Sequence, residues 1–110
     1  MLIHEFVLVS EVPKEICYTN YSQEQMTLIS DDFILKYNHP IRRVEMYCEN
    51  LQHKIMGLSY HGTTILDNEM AEKLKIALTI FCAQSEDLTK LLDILEQAIL
   101  QKKYIIHFGI

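Results

Sequence analysis

The sequence predicts an α+β fold: an antiparallel sheet of five to six strands, with a C-terminal two-helix hairpin packed on one face and a final C-terminal strand. Three features support this prediction. Short β-branched and aromatic runs fill the first 66 positions, two runs with helical apolar spacing occupy residues 67–102, and an apolar run ends the chain. The chain has 110 residues and only 3 glycines and 2 prolines, so we expect a single domain, residues 1–110, without a linker.

The N-terminal region is predicted to contain two strands. Residues 2–10 are apolar enough for a strand that is buried on both faces, and Pro13 follows its end. Residues 14–21 alternate in polarity, which predicts a second strand.

Residues 22–37 fit two structures. Ser22 and Gln25 have the spacing of a capping box, and the apolar residues after them recur at helical spacing. The same stretch also contains two runs rich in β-formers, separated by Asp31 and Asp32. We favour two short strands joined at the aspartates and keep the helix as the alternative.

Three further segments are predicted to be strands. Residues 41–48 alternate in polarity, and residues 53–66 suit a strand pair with a turn at His61 and Gly62. The tail, residues 104–110, is predicted to return to the sheet as its last strand, because so apolar an end must be buried.

The predicted helices span residues 67–83 and 86–102. Asp67 or Asn68 can cap the first, and Ser85 can cap the second, since a short side-chain oxygen accepts from a free N–H in the first turn. The apolar stripes of both helices are expected to lie in the core: Leu74, Leu78, Phe81, Leu91, Leu95 and Ile99. Further apolar residues lie off these stripes, which would suit a homodimer interface: Ile76, Ile80, Ile94 and Leu100.

Charge is concentrated at the N-terminus. The net charge is −5, and residues 1–32 hold six carboxylates against Lys14 alone. An acidic region repels phosphate backbones and attracts basic proteins, so direct nucleic-acid binding is disfavoured and a basic protein partner is favoured. Tyrosine is enriched at protein interfaces. The predicted partner-binding residues therefore combine these carboxylates with neighbouring tyrosines: Glu11, Glu15, Tyr18, Tyr21, Glu24, Asp31 and Asp32.

Catalytic motifs are absent from the sequence. His4 and His107 would form an acid–base pair only if the terminal strands were adjacent edge strands of the sheet, and two unrelated strand histidines are the simpler interpretation. Ser59 and His61 could share a strand face, but nothing in the sequence supplies the rest of a nucleophilic site, so a hairpin turn is favoured there.

The cysteines and histidines do not have the spacing of a metal site, so neither a metal nor a cofactor is expected. We expect three buried free thiols: Cys17, Cys48 and Cys82. The sequence shows no signal peptide and no apolar run of the roughly 18 residues that a membrane helix needs, so a cytoplasmic protein without membrane contact is expected.

These observations favour a small acidic protein-binding module, in particular an immunity or antitoxin-type inhibitor that neutralises a basic toxin such as a nuclease. One alternative is a structural or regulatory homodimer. The other is a small enzyme whose active site carries no recognisable motif.

Overall fold

The structure, a computed structural model, describes residues 2–81 and 85–110. Within this part of the chain a six-stranded sheet has the order β2-β1-β6-β5-β3-β4, and each neighbouring pair is antiparallel. The strands are β1 (Ile3–Val9), β2 (Met26–Ser30), β3 (Glu45–Cys48), β4 (Lys54–Met56), β5 (Thr63–Leu66) and β6 (Tyr104–Phe108). The predicted α+β fold is confirmed.

Two long helices, α3 (Asn68–Thr79) and α4 (Glu86–Gln101), follow β5 as the sequence predicts. The Asp67 carboxylate accepts from the Met70 N–H at 2.9 Å, and the Ser85 hydroxyl accepts from the Leu88 N–H at 3.4 Å. Each helix therefore begins at its predicted cap. The last two positions predicted for the first helix, 82 and 83, lie outside the described residues.

The main core lies between this helical hairpin and one face of the sheet. Sheet residues such as Phe6, Met46 and Ile105 are fully buried there, against the helix stripes. Of the predicted core residues, four are fully buried: Leu74, Leu78, Leu91 and Leu95. Phe81 and Ile99 are half-buried and pack against the edge of the same cluster.

The chain itself covers the opposite face of the sheet. Residues 10–25, here called the outer segment, pack over Val7, Ile65 and Ile106. The predicted strand at 14–21 is wrong, because the outer segment is irregular apart from short 3₁₀ helices at Tyr18–Asn20 and Gln23–Gln25. Its apolar side chains insert into the outer face while its backbone stays off the sheet ladder.

The ambiguous stretch combines both predicted structures. Met26–Ser30 forms β2, and then α1 (Asp31–Lys36) begins at once, followed by the short α2 (Asn38–Ile41). The second predicted strand is therefore wrong. Its sequence becomes helical because the Ser30 hydroxyl caps α1, accepting from the Phe33 N–H at 3.2 Å.

Strand pairing differs from the predicted order at residues 53–66. Strands β4 and β5 lie on either side of β3 and do not pair with each other, so they form no hairpin. Strands β1 and β6 are neighbours in the middle of the sheet, whereas the edges are β2 and β4. The terminal strands are thus adjacent, as the two-histidine hypothesis required, but they are central rather than edge strands.

The thiols differ from the expected three buried cysteines. Cys17 is exposed and Cys48 is half-buried, and both are free; Cys82 lies outside the described residues. Among residues 2–81 and 85–110, no helix combines the length and apolarity needed to cross a membrane.

Candidate functional site

The outer segment exposes most of the predicted partner-binding carboxylates. Glu11, Glu15 and Glu24 are exposed, and Asp32 is exposed in the first turn of α1. Within the described part of the chain, none of these four lies within 4 Å of a cationic side chain, whereas acidic residues on α3 and α4 pair with lysines. Their negative charge therefore remains available to a partner.

Two predicted tyrosines lie beside these carboxylates. The Tyr18 side chain is 43% exposed, and its hydroxyl donates to Glu5 Oε2 at 2.7 Å, which raises the pKa of that hydroxyl. Its ring packs edge-on against Phe108, with 5.2 Å between ring centroids. Tyr21 is half-buried against the same Phe108 ring. Tyr18 therefore offers an accessible aromatic surface, and Tyr21 mainly holds the outer segment on the sheet.

Asp31 lies apart from this set. It is only 8% exposed, and it accepts hydrogen bonds from His4 Nε2 at 2.9 Å and from the Tyr60 hydroxyl at 2.8 Å. The bond from His4, and then the bond from Tyr60, lower the pKa of the Asp31 carboxyl. The structure thus separates two aspartates that are adjacent in sequence, with Asp31 turned inward and Asp32 exposed.

A buried hydrogen-bonded chain continues inward from Asp31. His4 Nδ1 lies 2.8 Å from His107 Nε2, and the two rings stack with 5.1 Å between centroids. His107 Nδ1 lies 3.0 Å from Thr64 Oγ1, and Thr64 Oγ1 accepts from the Ser59 N–H at 2.8 Å. Both histidines and Thr64 are 0% exposed. The in-register pairing of β1, β6 and β5 brings these three side chains onto the helix-covered face.

The electrostatics of this chain favour a neutral His107. Burial and the charge of His4 lower the pKa of His107 to about 3. Burial penalises an imidazolium that lacks a carboxylate of its own, and the carboxylate of Asp31 contacts His4 instead. His107 is consequently neutral across the physiological pH range.

The burial of this histidine pair weakens the enzyme alternative. An acid–base pair must reach a substrate, yet neither ring contacts solvent. The second hypothetical site is not assembled either, because His61 Nδ1 contacts the main-chain oxygen of Ile110 at 3.1 Å. Ser59 contributes its backbone N–H to Thr64. The residues around Gly62 form a turn, but it is not the hairpin turn favoured from the sequence, because β4 and β5 do not pair with each other.

An apolar groove lies on the outside of the helical hairpin. It encloses about 510 Å³ between α3 and α4, and its lining includes Ile76, Ile80 and Ile99. Ile76 and Ile80 are 62% and 73% exposed, and Leu100 nearby in sequence is 72% exposed. The homodimer alternative depends on Ile76, Ile80 and Leu100, because Ile94, the fourth side chain predicted for that interface, is buried in the core. Nothing in the structure shows what covers the three exposed side chains. In the described ranges, no group of three or more acidic, histidine or cysteine side chains converges as a metal site would require.

Sequence reasoning missed Glu5, Tyr60 and Thr64. Tyr60 and Thr64 complete the buried chain, and Glu5 orients Tyr18. An alternation signal could have placed Thr64 beside Leu66 on the inner face of β5, because residues two apart on a strand share a face. No local pattern indicated Tyr60, which reaches Asp31 from a turn that lies 29 positions away in sequence.

Comparison with known proteins gives one informative structural match. No protein-family model and no curated protein matches the chain. A solved structure, the Neisseria DNA mimic protein DMP12, matches with a TM-score of 0.57 and 23% sequence identity. The alignment covers 98% of this chain and 99% of that chain. At this level of identity the match shows a shared fold over the full length of both chains.

The match corrects the predicted partners. We expected a basic protein partner, a toxin or nuclease-like protein, and no direct contact with nucleic acid. The structural neighbour is named as a mimic of DNA, a description that differs from a partner of a toxin. The partner prediction is therefore wrong as stated, and no comparison supports an immunity or antitoxin role.

Proposed function

We propose that this chain is an acidic protein-binding module that occupies the DNA-binding surface of a DNA-binding protein. In this role its carboxylates stand where DNA phosphates would lie, and the complex excludes DNA. The observation that carries the proposal is that three carboxylates of the outer segment are exposed and, in the described part of the chain, none has a cationic side chain within 4 Å: Glu11, Glu15 and Glu24. The likeness in fold to a DNA mimic protein supports it.

The physical basis is electrostatic. Proteins that bind DNA carry clusters of lysine and arginine, because neutralising phosphates supplies much of their affinity. A surface on which exposed carboxylates outnumber cations, as Glu11, Glu15 and Glu24 outnumber Lys14, presents a similar negative potential to that cluster. Such a surface also accelerates encounter, since complementary potentials raise association rates more than they raise final affinity.

The outer segment is well placed for this role. Its apolar side chains Val12, Ile16 and Tyr21 anchor it to the outer face of the sheet, whereas the carboxylates that neighbour these anchors in sequence are exposed. A fixed arrangement of charges loses less conformational entropy on binding than a flexible acidic tail would lose. Tyr18 adds an exposed aromatic ring next to this charge, of the kind that often carries binding energy at an interface.

The first test is competition with DNA. Proteins that a duplex-DNA matrix retains from the source cells are passed over the immobilised chain, and bound proteins are identified and purified. We expect at least one of them to bind the chain directly and to be released from it by a short DNA duplex. A ternary complex of chain, partner and duplex would contradict the proposal, as would the absence of any direct binder.

The second test locates the surface. The triple variant Glu11→Lys, Glu15→Lys and Glu24→Lys should slow association with that partner at least about tenfold at low salt. The defect should shrink as ionic strength approaches 0.15 M, where exposed charges are screened within about 8 Å. The rates are measured by surface plasmon resonance over a salt series.

A matched control changes the same net charge on the other side of the molecule. Glu69, Glu72 and Asp93 are exposed on α3 and α4, which pack on the opposite face of the sheet from the outer segment. Reversing all three to lysine should change the association rate much less. Equal slowing by both triple variants would show that net charge alone acts, and the outer segment would not be the binding surface.

A further inference from the structure

The buried chain of five hydrogen bonds has a single consistent direction when both histidines are neutral. The Ser59 N–H donates to Thr64, the Thr64 hydroxyl donates to His107 Nδ1, and His107 Nε2–H donates to His4 Nδ1. His4 Nε2–H and the Tyr60 hydroxyl both donate to the Asp31 carboxylate. Every donor along this path has an acceptor, and no buried side-chain nitrogen or oxygen in the described residues lacks a partner.

The histidine pair can hold one added proton. With His4 positively charged beside Asp31, its Nδ1–H donates to His107 Nε2, and His107 then carries its own proton on Nδ1. Thr64 adapts by turning its hydroxyl so that the oxygen accepts from His107 as well as from Ser59. The hydrogen bond between the two rings survives with its direction reversed.

The hydrogen bonds cannot rearrange in this way to accommodate a second added proton. It would place N–H donors on both His4 Nδ1 and His107 Nε2, which face each other at 2.8 Å, and two cationic rings 5.1 Å apart. The two rings must then separate, because neither nitrogen can accept a hydrogen bond.

The groups that contact the pair provide little stabilisation for two positive charges. The elements packed around it present Asp31 from α1, Thr64 from β5 and Tyr60 from the turn, while Glu5 of β1 faces the opposite side of the sheet. The core around the pair is apolar: the Phe6 ring lies 4.9 Å from the His107 ring, and Ile29 of β2 belongs to the same buried cluster. Two further titratable groups make contacts of their own near Ser30 and Tyr60. Asp87 of α4 bonds Ser30 and pairs with Lys90, and the ring of His61 contacts Tyr60.

We propose that the His4–His107 pair is a pH-sensitive contact, here called the lock, that holds together β1, β6, α1 and the turn at residues 57–62. The contact between the two rings persists when the pair binds one added proton, and it breaks when the pair binds a second. The turn is tied down at two places. Tyr60 is bonded to Asp31, and the main chain of the turn accepts from the N–H groups of Gly109 and Ile110, each at 2.8 Å. Gly109 fits closely there, since an added Cβ would lie 2.2 Å from the Tyr60 carbonyl oxygen. Separation requires at least one ring to leave its place, and displacement of His4 would take a donor from the Asp31 carboxylate to which Tyr60 is also bonded.

The lock is tested by ¹⁵N NMR of the imidazole rings over a pH series of the intact protein. At pH 8 we expect the His107 ring to be neutral, with its proton on Nε2. On acidification the pair should take up one proton while the amides of Gly109 and Ile110 stay protected from hydrogen exchange. Uptake of the second proton should coincide with at least a tenfold rise in exchange at these amides, corrected for intrinsic pH dependence.

Two variants check the assignment. His107→Gln keeps a donor towards His4 but cannot form the pair of opposed cations, so the pH at which Gly109 and Ile110 lose protection should fall by at least half a unit. His53→Gln changes an exposed histidine and should leave that pH unchanged. The proposal is overturned if both rings of the wild-type protein take up protons while the two amides stay protected. It is also overturned if the two amides lose protection at a pH where the pair has bound only one added proton or none. Both outcomes are measured on the wild-type protein, so the test remains valid even if His107→Gln does not fold.

Discussion

Thr64 terminates the buried hydrogen-bonded chain with a single hydroxyl. That hydroxyl accepts from the Ser59 N–H and contacts His107 Nδ1, and the side chain is 0% exposed. Valine has almost the same shape as threonine and lacks the oxygen. Thr64→Val therefore leaves a backbone N–H and a ring nitrogen without partners inside the protein.

We expect Thr64→Val to lower the free energy of unfolding by about 1–3 kcal/mol, the usual cost of burying unsatisfied polar groups. Urea unfolding at pH 7.5 measures it. Thr63→Val is the matched control, because Thr63 lies next in the same strand, is half-buried and faces the outer side of the sheet. If the two variants are equally stable, Thr64 does not support the buried chain.

Asp31 and Asp32 are adjacent in sequence, yet the first is buried and the second is exposed. Asp31 and Asp32 both lie in the first turn of α1, and both belong to the acidic N-terminal region. Asp31 is fixed by His4 and Tyr60, whereas Asp32 is exposed. A role for Asp31 in partner binding stays a prediction, and its present contacts are internal.

At the scale of elements, α3 illustrates what helical spacing predicts well. Leu78 is 0% exposed, and Ile76 on the same helix is 62% exposed. Leu78→Ala should lower the free energy of unfolding by about 2–5 kcal/mol, because a buried leucine leaves a cavity when truncated. Ile76→Ala should stay within about 0.5 kcal/mol of wild type, as surface substitutions usually do.

Chemical denaturation of both variants under one set of conditions provides the measurement. If the unfolding transition of Leu78→Ala overlays that of the wild type, the placement of Leu78 in the core is wrong. A large loss of stability in monomeric Ile76→Ala would show that the outward face of α3 is packed within the molecule.

The outer segment illustrates an element that alternation predicts poorly. Residues 14–21 alternate as a strand would, yet in the structure their apolar side chains pack onto a sheet whose strands are already paired. Alternation reports which side chains are buried, and it does not report whether the backbone has a strand to pair with. The strand predicted in the second half of residues 22–37 is wrong for a different reason. The Ser30 side chain caps a helix there, although the residues after it are rich in β-formers.

At the scale of the whole molecule, the buried histidine makes stability depend on pH. The pKa of His107 is lowered from 6.5 to about 3 in the folded protein. Below pH 6.5 the unfolded chain therefore binds a proton that His107 in the folded chain does not bind. The free energy of unfolding should therefore fall as pH decreases from 6.5 towards 3, and His107 should contribute about 1.4 kcal/mol per pH unit to this decrease. Above pH 6.5 His107 is neutral in both states and does not affect stability.

Urea unfolding at pH values from 7.5 to 4 measures this dependence. His107→Gln lacks the titrating group, so its stability should fall less steeply with decreasing pH than that of the wild type. His53→Gln should follow the wild-type slope. Parallel slopes for wild type and His107→Gln would contradict the lowered pKa of His107. The lowered pKa of Asp31 acts in the same direction at still lower pH, since that carboxylate stabilises the fold only while it is charged.

The charge distribution of the molecule follows directly from the sequence. The acidic N-terminal region folds so that three of its carboxylates lie on the outer segment, and lysines pair with carboxylates mainly on the helices and on β3 and β4. Binding through this surface stays a proposal, and so does a cytoplasmic location, where such a module would meet DNA-binding proteins.

The sequence by itself determined the fold class, both long helices with their caps, four fully buried leucines and the acidic character of the N-terminal region. These features depend on spacing within one element or on composition, so neighbouring residues are enough to specify them. Tertiary structure decided which strands are neighbours. His4 and His107 are 103 positions apart, and only the placement of β6 beside β1 brings their rings to 2.8 Å. Sheet order and register depend on long-range packing of all six strands, and no local pattern encodes them.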